Sequence, residues 1–257
     1  MTRNGSEAKN PVKSTLTTFD VLEALDESDG ARVTALAERL DLPKSSVHNY
    51  LSTLRQRGYV VKRGDEYHVG LRFLGLGVTA RNKHPVCDIA KPEVRTLAEE
   101  TGELANLMVE EHGMGVYVHR ETGEDAVRVD ADTGHRVHLH NTALGKAILA
   151  HYPRERVDAV LDRHGMPQTS DRTITDRGEL FDELEAVREN GVAFDDEERL
   201  DGLRCVASPI LDSDGEPLGA VSVSGPKRRM SAERFREEVP GTLRDAVNII
   251  ELNVAHS

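Results

Sequence analysis

Tryptophan is absent from this 257-residue chain, cysteine occurs twice, and aromatic residues make up only 4% of it. Cys87 and Cys205 lie far apart with no Cys-x-x-Cys spacing, which argues against a disulfide framework or a zinc ribbon. No apolar run approaches the roughly 20 residues of a membrane span. The N-terminus is polar where a secretion signal would be apolar. These absences point to a soluble, cytoplasmic protein with no membrane partner. An overall positive charge is missing too, since the net charge is -12.

The charge that is present is unevenly placed. Residues 1–83 hold 13 Lys and Arg against 10 Asp and Glu, whereas residues 84–257 hold 20 against 35. Between Arg32 and Arg63 there are seven basic residues and two acidic ones. A local positive patch on an acidic molecule suits contact with phosphates, because that contact depends on the field at the interface. Arg outnumbers Lys by 25 to 8. With the acidic balance, this fits either a salt-adapted organism or a high-GC genome.

Residues 1–13 are polar and unpatterned, and read as a tail. Leu16, Phe19, Leu22 and Leu25, supported by Val21, predict the buried face of a first helix. Val33, Leu36, Ala37 and Leu40 predict a second. Pro43 suits the first turn of a third, which buries Val47, Leu51 and Leu54 and ends at Gly58. Two short strands, 59–62 and 66–69, flank a Gly-Asp turn and form a hairpin. Three helices and a hairpin describe a winged helix-turn-helix over residues 14–70. Residues 71–84 read as a linker helix with Leu71, Leu74 and Val78 on one stripe.

Residues 85–257 mix helices with hairpin strands, which predicts an α+β domain and not a doubly wound nucleotide fold. Helices are expected near 89–101, from Leu144, at 154–164, 177–190 and 232–253. Strands are expected at 103–112, 115–122, near 126–131, and at 191–195, 204–211 and 217–224.

On the third helix the outward residues near its start are Lys44, Ser45, Ser46, His48 and Asn49. The N-terminal part of such a helix enters the major groove, where Asn pairs with adenine and Lys with guanine. Lys62 and Arg63 beside the hairpin tip are placed for backbone phosphates. The plain alternatives are an ordinary polar surface and serines that only cap the helix. In the second half, Ser222 and Ser224 share one strand face and Val221 and Val223 the other. Cys205 and Ala207 share a face and leave space. Ala143 and Leu144 stand where a helix begins, and Asp195 closes a strand. Together they suggest a small polar pocket. The plain alternative is serines that satisfy the backbone and a packed thiol.

"LPKSSVHNYLSTLRQRGYV" resembles the DNA-binding half of the IclR family of transcription regulators. "GVAFDDEERLDGLRCVASPILDSDGEPLGAVSVSGPKRR" and "HNTALGKAILA" resemble its effector-binding half. The resemblance implies a GAF-like effector domain with Ala143, Leu144, Asp195, Cys205, Ser222, Ser224 and Val129 lining the site. It also implies a small organic acid or sugar-derived effector, and a double-stranded DNA operator that is nearly palindromic. The partner expected besides these is a second copy of the chain, as homodimer or homotetramer. Asn49 departs from the arginine of many relatives, so operator sequence does not transfer.

No cofactor is expected. "LGK" is no phosphate loop, because Ala147 follows Lys146 and the preceding glycine is missing. "VSVSG" lacks the first glycine of a nucleophile elbow. An enzyme would need a nucleophile and base in reach, and the sequence offers no pair at a recognisable spacing. A metal-sensing regulator is the other alternative, with His138 and His140 two apart and His119 and His135 as further candidates.

Overall fold

The computed structural model describes residues 9–127 and 132–256. It divides into two compact units, one ending at Ala80 and one beginning at Arg81. In the first, α1 (Lys13–Glu27), α2 (Val33–Arg39) and α3 (Lys44–Gln56) precede the hairpin β1 (Val60–Arg63) and β2 (Glu66–Val69). Their core holds Val21, Leu25, Leu36, Val47, Leu51, Val60 and Tyr67. Ala31 exchanges both backbone hydrogen bonds with Tyr67, which ties the hairpin to the start of α2. Gly64 turns the hairpin with φ +59, a region that β-carbons disfavour. Pro43 stands one residue ahead of α3 and not within its first turn.

The expected face of α1 is corrected. Leu16 and Phe19 are 43% and 55% exposed, and the buried residues are Val21, Ala24 and Leu25. A row at strict three-residue spacing drifts about 60° around the helix per step. Over three steps Leu16 and Leu25 come to opposite sides, so the four leucine and phenylalanine positions cannot share one face. After the hairpin, α4 (Arg72–Arg81) buries no residue at all. Arg72 Nη1 donates to Arg57 O at 2.6 Å and Phe73 packs on Tyr59, which seats its first turn.

The second unit is an antiparallel sheet in the order β5-β4-β3-β8-β7-β6. Its strands are β3 (Leu104–Glu111), β4 (Met114–Thr122), β5 (Arg136–His138), β6 (Ala193–Asp196), β7 (Leu203–Leu211) and β8 (Pro217–Pro226). One face carries α5 (Val86–Ile89), α6 (Lys91–Thr101) and α10 (Val239–Ala255) over Ala105, Leu107, Val221 and Val223. The other carries α7 (Ala143–Leu149), α8 (Arg154–His164) and α9 (Arg177–Asn190) over Met108, Tyr117, Cys205 and Ala207. The sheet is therefore buried on both sides in an α+β arrangement, as the sequence predicts.

Three expected elements differ in detail. The strand expected near 126–131 is not one at 126–127, and 128–131 lie outside the described residues; the strand paired with β4 is β5. The helix expected at 89–101 is α6, which starts at Lys91 and is preceded by the separate short helix α5. The last helix begins as a π-helical turn, Arg234–Glu238, before α10. Pro240 near the start of α10 has no N–H to give, which favours a change of winding there. No helix among the described residues is long and apolar enough to cross a membrane.

Candidate functional site

The first candidate surface is α3. Its buried stripe of Val47, Leu51 and Leu54 turns Ser45 and Asn49 directly outward, and Ser52 and Gln56 continue that row. Lys44 and His48 are exposed beside it, while Ser46 is half-buried. Ser46 and Asn49 also border a shallow groove of about 360 Å³ with Thr18, Tyr50 and Thr53. No side chain caps α3, so neither serine serves as its cap. Lys62 and Arg63 are exposed on β1, with the Lys62 ammonium 5.4 Å from the Tyr67 ring. Among the described residues, Lys44, Arg55, Lys62 and Arg63 join no ion pair, unlike Arg39, which pairs with Glu27. Their charge is available to an outside anion. Ser52, Arg55 and Gln56, exposed further along α3, extend this surface beyond the first turns that the sequence pattern singles out.

The second lies on the sheet face under α7. Strand pairing puts Asp195, Cys205 and Ser224 side by side in one row across β6, β7 and β8. The next row holds Ala193, Ala207, Ser222 and Asn106. Ala143 and Leu144, fully buried at the start of α7, belong to the same cluster as Cys205 and Ala207. Six of the seven expected pocket residues thus come together; Val129 lies outside the described residues. Ser224 Oγ donates to Cys205 Sγ at 3.0 Å. Asn106 Nδ2 donates to Ser222 Oγ at 3.4 Å, and its buried Oδ1 has no partner among the described residues.

Local chemistry fixes these groups. Asp195 Oδ1 accepts from the amides of Glu198 (2.7 Å) and Arg199 (3.4 Å), which holds the turn after β6. Burial, and then the charge of Glu198, push the Asp195 carboxyl up to about 7. Burial pushes the Cys205 thiol up to about 12, so it stays protonated and is no thiolate nucleophile at neutral pH. Thr142 caps α7, its Oγ1 accepting from the Gly145 amide at 3.0 Å. A β-carbon on Gly145 would stand 2.1 Å from Leu139 O, so only glycine lets α7 lie this close.

Residues that sequence reasoning missed complete the surroundings. Lys146, with no exposure, pairs with Glu198 at 2.6 Å and Glu183 at 3.1 Å. Thr173 Oγ1 donates to Glu198 O at 2.6 Å, and the hydroxyls of Thr169 and Ser170 reach the same carbonyl. Arg199 Nη1 donates to the Tyr117 hydroxyl at 3.3 Å. Burial pushes that phenol up to about 12. The row positions of Asn106 and Tyr117 become readable only when the strand order is known.

Among the described residues the candidate histidines point to separate partners. His140 Nε2 lies 3.2 Å from Pro167 O, and His119 pairs with Glu121 at 3.0 Å. The His138 and His140 rings are 5.7 Å apart, and burial pushes His140 down to about 4. Among the described residues no three His, Cys, Asp or Glu side chains are grouped to hold a metal ion.

Comparison with known proteins matches both halves. A family model of the IclR helix-turn-helix domain matches residues 16–64, and one of the bacterial transcriptional regulator IclR C-terminal domain matches residues 78–252. The HTH-type transcriptional regulator KdgR of Escherichia coli K12 is 34% identical over 230 residues, 89% of this chain and 88% of its own. The crystal structure of Thermotoga maritima IclR superposes with a TM-score of 0.80 at 28% identity, covering 94% of this chain and 98% of the other. An IclR homologue from Microbacterium hydrocarbonoxydans, solved in complex with 4-hydroxybenzoate, shares the fold at TM-score 0.80 and 23% identity, covering 93% and 98%.

Proposed function

The chain belongs to the IclR family of transcription regulators, and from that membership we propose how its two surfaces divide the work. Lys44, Ser45, Ser46, His48 and Asn49 of α3 enter the major groove, with Lys62 and Arg63 on the flanking phosphates. The observation that carries this is the uncapped row on α3, where small hydroxyls and an amide face outward beside cations that join no ion pair among the described residues. One short helix reads few bases, so the chain acts as a dimer or tetramer on a near-palindromic double-stranded operator. Leu71, Leu74 and Val78, all exposed on or beside α4, are the apolar surface offered to another copy. Residues 71–84 serve as the link between the DNA-binding and effector-binding parts.

Ala143, Leu144, Asp195, Cys205, Ser222 and Ser224 hold a small organic acid or sugar-derived effector. Its binding shifts the population of DNA-binding states by differential affinity. The protein acts by binding and not by turnover. The test is recovery of bound DNA from cells carrying the tagged protein, wild type beside Ser45→Glu, Ser46→Glu. Discrete near-palindromic sites lost in the variant are expected. Sites retained by the variant would remove α3 from the reading, and turnover of a small acid by the purified protein would replace binding with catalysis.

A further inference from the structure

Arg199 stands in the turn between β6 and β7, yet its guanidinium meets Tyr117 on β4. In a flat sheet these strands would lie about 14–19 Å apart, three to four strand spacings, which is beyond one arginine side chain. The sheet is therefore curled, and Arg199 spans the concave face over the rows that contain Cys205, Ser222 and Ser224. The same turn carries Asp195, whose Oδ1 accepts from the Arg199 amide. Five consecutive residues thus present a carboxyl at one end of the polar floor and a guanidinium at the other. Arg120, opposite Asn106 in the β3–β4 ladder, adds a second cation at the β4 end, 3.4 Å from Asp132.

We propose that Arg199 is the specificity-determining residue of this pocket: its guanidinium exchanges the Tyr117 hydroxyl for a carboxylate on the effector, whose hydroxyl or oxo group lies against Asp195, Ser222 and Ser224. This rests on the pocket reading given above and adds the orientation of the ligand within it. At 3.3 Å the bond to Tyr117 is long and joins a charged donor to a neutral acceptor. A carboxylate offers the guanidinium two parallel charge-assisted bonds instead. The other end disfavours an anion, because Glu183 and Glu198 share the single ammonium of Lys146 there. A carboxyl raised by burial to about 7 holds its proton for part of the time at neutral pH, and it can then donate to a ligand oxygen or, ionised, accept from a ligand hydroxyl. An acid is held one way round, and a neutral analogue loses the stronger of its two anchors.

Calorimetric titration of the full chain with 4-hydroxybenzoate and with lactate, each beside its amide, tests this. Wild type, Arg199→Gln, Arg199→Lys and Ser222→Ala are compared, with thermal melts to verify folding. At least one acid is expected to bind wild type about tenfold or more tightly than its amide. Arg199→Gln brings acid and amide to similar affinity, and Arg199→Lys restores part of the preference. A purely structural Arg199 would weaken acid and amide alike and leave their ratio intact, which overturns the proposal. If Ser222→Ala abolishes binding while Arg199→Gln keeps the wild-type ratio, the pocket stands and the role of Arg199 falls. If folded wild type binds none of the four compounds, the pocket reading fails and this inference fails with it.

Discussion

Lys146 Nζ lies 2.6 Å from Glu198 Oε1, and no part of the lysine reaches solvent. Removing one partner of a buried pair leaves a charge in a medium that cannot solvate it. Lys146→Met is expected to cost about 3 kcal/mol or more in chemical denaturation. Adding Glu198→Gln should recover part of that loss. A double variant as unstable as the sum of the two single ones would mean that the pair is not coupled.

Asp195→Asn should change the pH dependence of stability. The folded carboxyl is raised to about 7 from 3.8, so between these values the folded state holds a proton that the unfolded chain has released. Wild-type stability therefore falls through that window as pH rises, and the asparagine variant escapes this loss. Its melting temperature should gain on wild type from pH 4 to 7, by roughly 8–16 °C, and level off above. A constant gap over pH 4–8 would contradict the assignment.

Gly145→Ala sets propensity against packing. Alanine favours a helix interior by about 1 kcal/mol over glycine. Here the new methyl carbon would meet Leu139 O at 2.1 Å and Leu139 Cα at 2.4 Å, both backbone atoms. The variant is expected to be destabilised by about 2 kcal/mol or more, as read from its denaturant midpoint.

On DNA, two kinds of substitution should separate. Asn49→Ala is expected to cost about 1–3 kcal/mol at the operator and little on unrelated DNA. Lys62→Ala and Arg63→Ala should weaken both alike, each lowering the slope of log affinity against log salt by about 1. Binding measured across a salt series on both DNAs checks the two together.

The first unit was legible because its signals are local. Val47, Leu51 and Leu54 set the face of α3 by periodicity, and Gly64 with Asp65 set the hairpin. Leu16 and Phe19 misled because apolar residues at a spacing of three read as a face, although the helix turns by more than that. In the second unit the alternation Val221, Ser222, Val223, Ser224 correctly separated the two faces. Lys146 read as an ordinary polar residue, since nothing local reveals that Glu183 and Glu198 close over it. Arg199 and Tyr117 are 82 positions apart, and only the curl of the sheet brings them together.

The rows across β6, β7, β8 and β3 constrain how such a pocket can change over generations. Cys205 faces Ser224 and Ala207 faces Ser222 because each strand keeps its register. One residue inserted or deleted within β7 or β8 would turn the residues beyond it over, and Val221 and Val223 would replace the serines on the floor. A lineage can therefore alter what the pocket holds one substitution at a time. Changes of length are confined to segments outside the ladder, such as the turn that carries Arg199.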